Sequence, residues 1–358
     1  MKIAQVAPLY ESVPPLLYGG TERVVAYLTN ELVNQGHEVT LFASGDSQTT
    51  AELRPICKRA LRLEGKKVTD PLAHHMRMLE MVAQEAAEFD IMHFHVDYMH
   101  FPVTRRLGIP SVTTLHGRVD IPDVYPLYRE FDEMPLVSIS NSQRTPISWA
   151  NWVATVYHGL PEDLYLPQER AGKYLAFLGR ICPEKRLDRA IEIARRVGMP
   201  LKIAAKVDAG DLAYFEAEIR RLLDDPLIEF IGEIGEREKS DFLGNAHALL
   251  FPIDWPEPFG LAMIEAMACG TPVIAFRMGS VPEVIEDGVT GCVVDNLDDA
   301  VRAVEHAGSI DRRVCRQIFE KRFSARRMSG DYLAVYRQIC CPETDATFDG
   351  GDILSIAA

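Results

Sequence analysis

Trp255-Pro256-Glu257-Pro258-Phe259-Gly260-Leu261-Ala262-Met263-Ile264-Glu265-Ala266-Met267-Ala268-Cys269-Gly270-Thr271-Pro272 runs from a proline-punctuated loop into a segment of helical period. Pro256 and Pro258 hold the loop extended. Leu261, Ile264, Met267 and Ala268 recur at helical spacing and predict a helix with one face on a core. Gly270 and Pro272 end it. Apolar runs flank the stretch, Ala248 to Phe251 before it and Val273 to Phe276 after it, and both read as buried strands.

Two carboxylates mark this stretch. Glu257 lies in the loop and Glu265 about one and a half turns inside the helix. A helix start presents free N–H groups, here those of Phe259, Gly260 and Leu261, and a partial charge of roughly +0.5. Such a terminus suits phosphate. Carboxylates beside it suit a sugar diphosphate, whose phosphates want donors and whose hydroxyls want acceptors. A surface glutamate and a helix-capping one would look the same in this stretch alone.

The 358 residues are enough for two domains. The net charge of −14 argues against nucleic acid, whose binding needs a basic excess. It also disfavours a broad anionic membrane surface. Lys58-Arg59-Ala60-Leu61-Arg62, with Lys66 and Lys67, is a local exception that reads as a solvated face or as a membrane or acceptor contact. The seven cysteines form no Cys-x-x-Cys pair, which suits reduced, cytoplasmic thiols. The first residues alternate like a strand and lack a signal-peptide core, and no apolar run reaches the ~18 residues of a membrane span. The expected location is the cytoplasm, with at most peripheral contact at the inner face of the membrane.

From the N-terminus, Ile3 to Ala7 predicts a strand. Gly19-Gly20-Thr21-Glu22-Arg23 leads into an amphipathic helix marked by Val24, Val25, Leu28, Leu32 and Val33, and Val39 to Ala43 is the next strand. This is a βαβ unit of a doubly wound sheet, where ligands bind beyond the strands' C-terminal ends. The glycines allow a phosphate close to the backbone. Gly-x-Gly-x-x-Gly is missing, which disfavours a dinucleotide-dependent dehydrogenase. Thr69 to Ala87 has helical period. The strand Asp90 to His95 ends in His93, His95 and Asp97, a same-face histidine pair that suits a polar cleft or a metal. His116-Gly117 closes the strand Ser111 to Leu115. Asn141, Ser142 and Arg144 follow the strand Leu136 to Ser140, and Trp152 to Tyr157 completes the first sheet.

The second domain begins near Pro161. Tyr174 to Leu178 predicts a strand, Gly179-Arg180-Ile181-Cys182-Pro183-Glu184-Lys185 a loop, and Leu187 to Val197 a helix. Arg180 and Lys185 thus place two cations over a strand edge, where Arg can grip phosphate bidentately. Leu201 to Lys206 and Ile228 to Gly232 are further strands, the latter followed by Glu233 and Ile234. Tyr332, Val335, Tyr336 and Ile339 share one stripe of a last helix. The polar, acidic residues after Pro342 read as a flexible tail.

Glu257 and Glu265 with seven residues between, followed by Ala-Cys-Gly-Thr-Pro-Val-Ile-Ala, resemble the E-x7-E signature of family 4 retaining glycosyltransferases. Gly-Gly-x-Glu-Arg at 19–23 and Gly-Arg-x-x-x-x-Lys at 179–185 resemble the same family's donor loop and diphosphate clamp. The resemblance covers about residues 1–340 and implies the α/β fold GT-B: two Rossmann-like, doubly wound domains facing a central cleft. The implied first domain is 1–160, the acceptor side. The second is 161–325, the nucleotide-sugar side. A helix at 326–341 returns to the first domain, and 342–358 is a tail.

The implied activity is transfer of a hexosyl group from a nucleotide-diphospho-sugar, UDP-glucose type rather than GDP-mannose. The acceptor would be a sugar, a lipid-linked glycan or a small molecule. The implied alternatives are a sugar-nucleotide 2-epimerase of the same fold and a non-catalytic nucleotide-sugar-binding protein. Carried onto this sequence, Arg180 and Lys185 hold the diphosphate with the N–H groups of Phe259, Gly260 and Leu261 and the Gly19-Gly20 loop. Glu257 holds the sugar, Glu265 the ribose, and Ile234 the base. His116 contacts the sugar from the first domain. His95, Asp97, Asn141 and Arg144 face the acceptor. Two positions depart from the family. His158-Gly159 stands where Asn-Gly is common, and Ala205-Lys206 replaces a glycine pair, so Lys206 becomes a further phosphate cation. No Asp-x-Asp is present, so no metal and no cofactor is expected.

Overall fold

Thirteen strands form two parallel sheets among residues 1–341, which the computed structural model describes. The first contains β1 (Lys2–Val6), β2 (Glu38–Ala43), β3 (Glu52–Pro55), β4 (Ile91–Phe94), β5 (Ser111–Thr114), β6 (Leu136–Ser138) and β7 (Trp152–Thr155), in the order β3-β2-β1-β4-β5-β6-β7. The second contains β8 (Leu175–Arg180), β9 (Leu201–Lys206), β10 (Ile228–Gly232), β11 (Ala248–Phe251), β12 (Val273–Phe276) and β13 (Gly291–Val294), in the order β10-β9-β8-β11-β12-β13. β4, β5, β11 and β12 are buried along their whole length, as parallel strands covered on both faces must be. The tail 342–358 lies outside the described residues.

Strand order reverses between β1 and β4 in the first sheet and between β8 and β11 in the second. Connections leave such a pair in opposite directions and open a crevice at the strands' C-terminal ends. Local chemistry sets the element ends. The helix expected over 69–87 spans Pro71–Glu85, because Asp70 accepts from the Leu72 and Ala73 N–H groups and starts it. β6 stops at Ser138, since Ser140 turns to accept from the Gln143 N–H at 3.1 Å. β3 gave no apolar run because it is a short charged edge strand, Glu-Leu-Arg-Pro.

The chain passes between domains at Gly159–Leu160 and again at Phe323–Ala325. The two passages pair: Leu160 N–H donates to Phe323 O at 2.9 Å, and Ala325 N–H donates to Leu160 O at 2.8 Å. A Cβ on Gly159 would stand 2.3 Å from the Ser324 carbonyl oxygen, so only glycine fits. Ser324 then caps the last helix, Ala325–Cys340, which returns to the first domain and buries Met328, Tyr332, Val335 and Tyr336. Among the described residues no helix is long and apolar enough to cross a membrane.

Gly159→Ala is therefore expected to destabilise the protein by about 1–3 kcal/mol through overpacking at the crossing. Gly330→Ala is the opposite case. Gly330 is exposed inside the returning helix with nothing within 4 Å of the added methyl, and the change should stabilise by about 0.5–1 kcal/mol. Thermal unfolding of both variants checks the pair. Equal midpoints would remove the close-approach account of Gly159.

Candidate active site

The two crevices open into one cavity of about 530 Å³. Its second-domain wall is built from the ends of β8, β9 and β11. Arg180 closes β8, with its Nε 3.4 Å from Asp211 and its Nη1 3.7 Å from Asp208. Lys206 closes β9, with its Nζ 3.0 Å from Asp208. Lys185 pairs with the Glu257 carboxylate, which also accepts from Trp255 Nε1 at 2.9 Å. Arg180 remains 36% exposed, and ion pairs in water contribute little. A diphosphate can therefore displace Asp208 and Asp211 from Arg180 at small cost.

The loop carrying Glu257 is fixed from behind. Gly279 adopts φ +55°, and a Cβ there would meet the Glu257 backbone N at 2.3 Å. Ser280 N–H donates to Glu257 O at 3.0 Å, and its hydroxyl donates to Phe259 O at 2.8 Å. The helix Leu261–Ala268 then starts at Gly260 with no side-chain cap, leaving its first N–H groups for a ligand. Inside it, Glu265 takes Lys239 Nζ at 2.8 Å and the Tyr165 hydroxyl at 3.3 Å.

The first-domain wall faces these groups. The Gly19-Gly20 loop lies against the helix start: a Cβ on Gly20 would stand 3.5 Å from Leu261 Cδ1. His95 follows β4 and His116 follows β5, and His95 Nδ1 lies 2.8 Å from His116 Nε2. His158 stacks on His116 with ring centres 5.2 Å apart. Burial pushes His116 down to about 3, so its imidazole is neutral at ordinary pH. Asp97 stands exposed at the rim in a left-handed conformation, φ 51°.

Every donor-side candidate lines this one cavity: Gly19, Gly20, Arg180, Lys185, Lys206, Ile234, Glu257, Phe259, Gly260, Leu261 and Glu265. His116, His95 and Asp97 line it as well. Asn141 and Arg144 do not. The turn after β6 packs on the other domain instead. Glu283 accepts from the Asn141 and Ser142 N–H groups, both at 2.7 Å, while Arg144 donates to Thr155 Oγ1 and Trp152 O. Asn141 thus makes a contact between the domains and Arg144 a contact within the first domain, and neither lines the cavity that an acceptor would enter. The His93–His95 metal option also falls, since all four ring nitrogens are engaged by Tyr336, Thr114, His116 and Gln5.

The sequence raises Arg23 only as part of the Gly-Gly-x-Glu-Arg loop and Arg62 only as part of the basic run, and gives no sign of Lys239. Arg23 is buried and reaches across the cleft to Glu236, and Lys239 pairs with Glu265. Arg62, from the basic run, lines the cavity and pairs with Glu11 at 3.0 Å. Each depends on a partner far away in sequence. Among the described residues no group of three His, Cys, Asp or Glu side chains is placed to hold a metal.

Residues 18–178 match the family model "Glycosyltransferase Family 4", and residues 167–313 match "Glycosyl transferases group 1". The chain belongs to the family 4 glycosyltransferases. It is 24% identical over 344 residues to D-inositol 3-phosphate glycosyltransferase of Mycolicibacterium smegmatis, covering 78% of this chain and 76% of that one. It is 23% identical over 364 residues to N-acetyl-alpha-D-glucosaminyl L-malate synthase of Bacillus anthracis, covering 90% and 94%. The solved structure of Anabaena HepE in complex with UDP and glucose shares its fold, with TM-score 0.71 at 17% identity and coverage of 94% and 99%.

The glycosyltransferase holds His93, His95, His100, His116 and His158 below their ordinary range, each chiefly by burial. A depressed histidine stays neutral when folded but protonates when unfolded. Its stabilisation is complete above the unfolded value near 6.5 and is lost as pH falls towards the folded value, about 3 for His100 and His116. Each such histidine should lower stability as pH falls below 6.5. Denaturant midpoints should therefore fall steeply between pH 6.5 and pH 5. Midpoints that stay flat there would contradict the neutral, buried assignment.

Proposed function

We propose that this glycosyltransferase moves a hexosyl group from a UDP-sugar of the UDP-glucose type to an acceptor hydroxyl, with retention at the anomeric carbon and without a metal. One observation carries the reading. Arg180, Lys185 and the uncapped start of the helix Leu261–Ala268 converge on one wall of the cavity, and His116 faces them from the other. Cleaving the sugar–phosphate bond leaves negative charge on the diphosphate. Fixed cations and helix N–H groups stabilise that charge as a metal would. Glu257 holds sugar hydroxyls and Glu265 the ribose hydroxyls, each trading a lysine partner for the ligand.

The leaving phosphate takes the acceptor's proton on the face it departs from, so that no enzymic nucleophile is needed. The acceptor, a sugar, a lipid-linked glycan or a small molecule, enters along the first-domain wall by His95, Asp97 and Arg62. The relatives named for inositol 3-phosphate and malate fit an anionic small-molecule acceptor. The UDP complex of the structural neighbour supports UDP as the nucleotide. The seven free thiols suit the reducing cytoplasm.

Incubation with UDP-glucose and candidate acceptors in excess EDTA tests this reading. UDP should be released only when an acceptor is present. Arg180→Ala and Lys185→Ala should each lower the rate by roughly 10- to 150-fold, the loss of one charge-assisted phosphate contact, with unfolding midpoints unchanged. An epimerised sugar nucleotide without acceptor would replace transfer by 2-epimerisation. Activity lost to EDTA and restored by Mn²⁺ or Mg²⁺ would overturn the metal-free site.

A further inference from the structure

A continuous line of buried polar side chains runs from the returning helix to the cavity wall. Gln5 Nε2 donates to the Tyr336 hydroxyl at 3.0 Å. The same hydroxyl lies 2.7 Å from His93 Nδ1. On the other side, Gln5 Oε1 lies 2.8 Å from His95 Nε2, and His95 Nδ1 lies 2.8 Å from His116 Nε2. Gln5, His93, His95 and Tyr336 are all at most 3% exposed. Each link therefore has one donor and one acceptor, and the proton positions follow in sequence.

An amide oxygen only accepts, so His95 Nε2 carries a proton. His95 is neutral because burial and the neighbouring imidazoles hold it well below its ordinary range. Its Nδ1 is then a lone pair, and the proton in the next bond belongs to His116 Nε2. Neutral His116 is left with a lone pair on Nδ1. That buried nitrogen has no partner in the protein, although His116 lines the cavity. A buried polar atom without a partner calls for a ligand.

We propose that Gln5 and Tyr336, acting through His95, are positioning residues that hold the proton of His116 on Nε2, so that Nδ1 accepts from a hydroxyl of the donor sugar and rejects a carboxylate there. The proposal rests on His116 facing the sugar, as in the function proposed above. It makes the returning helix part of the donor site, though no residue of that helix lines the cavity. It also assigns specificity: a lone pair rewards a hexose hydroxyl and repels the carboxylate of the corresponding hexuronic acid.

The test compares UDP-glucose with UDP-glucuronic acid in the wild type and in Gln5→Met, Tyr336→Phe and His116→Ala. Gln5→Met should lower kcat/KM for UDP-glucose about tenfold, one hydrogen bond's worth, and narrow the preference over UDP-glucuronic acid by a similar factor. Tyr336→Phe should act in the same direction, and it serves alone if Gln5→Met does not fold. UDP affinity by calorimetry should not change, because UDP lacks the sugar. In ¹⁵N-histidine NMR, wild-type His116 should show a protonated Nε2 and a bare Nδ1. A protonated Nδ1 would overturn the proposal. So would variants that change neither kinetics nor preference while His116→Ala changes both, or that weaken UDP itself as much as transfer. If His116→Ala changes nothing, the failure lies in the sugar-facing reading.

Discussion

The backbone pairing of Leu160 with Phe323 and Ala325 fixes how the two sheets meet. Parallel strands send all their C-terminal ends to one edge, and each sheet has one place, its switch point, where that edge opens. Turning both edges towards each other makes one cavity out of two crevices. Two chain passages, hydrogen-bonded side by side with Gly159 in van der Waals contact, are what hold that orientation. Arg327 adds to it by donating to the carbonyls of Tyr157 and His158 at 2.7 and 2.9 Å. Two peptide crossings are also a natural axis of rotation, since neither core is broken when they turn.

The electrostatics of the cavity follow from this arrangement. The net charge is −14, yet its second-domain wall gathers Arg180, Lys185, Lys206 and Lys239. Without ligand these cations rest on Asp208, Asp211, Glu257 and Glu265. Such pairs keep the cations ordered and partly desolvated, while the exposed ones remain weak enough to exchange. The carboxylates are not spectators after exchange. In the function proposed above, Glu257 and Glu265 become acceptors for sugar and ribose hydroxyls, so the same side chains would serve both states.

What could be read from sequence was local. Arg180, Lys185, Glu257 and the helix from Leu261 sit in contiguous runs whose spacing carries their placement, and the family resemblance named their partners. The sheets were legible because strands buried on both faces read as apolar runs. Asn141 and Arg144 do not line the cavity, and no run of residues says so, because a polar strand-end loop looks alike in sequence whether its side chains face the cavity or the rest of the protein. The Arg23–Glu236 and Lys239–Glu265 pairings and the Gln5–His95–His116 line were invisible for another reason. Gln5 meets Tyr336 across 331 positions, and Lys239 meets Glu265 across 26, so no window of sequence holds both partners.

The central claim is that one sugar is held from both domains, by Glu257 on one wall and His116 on the other. Hydrogen exchange of the protein alone, with UDP, and with UDP-glucose measures it directly. UDP should protect the ends of β8 and β11 and the start of the helix Leu261–Ala268. UDP-glucose should in addition protect the ends of β4 and β5, next to His95 and His116. Identical protection of the first-domain strand ends with UDP and UDP-glucose, or none with either, would contradict a sugar shared across the cleft.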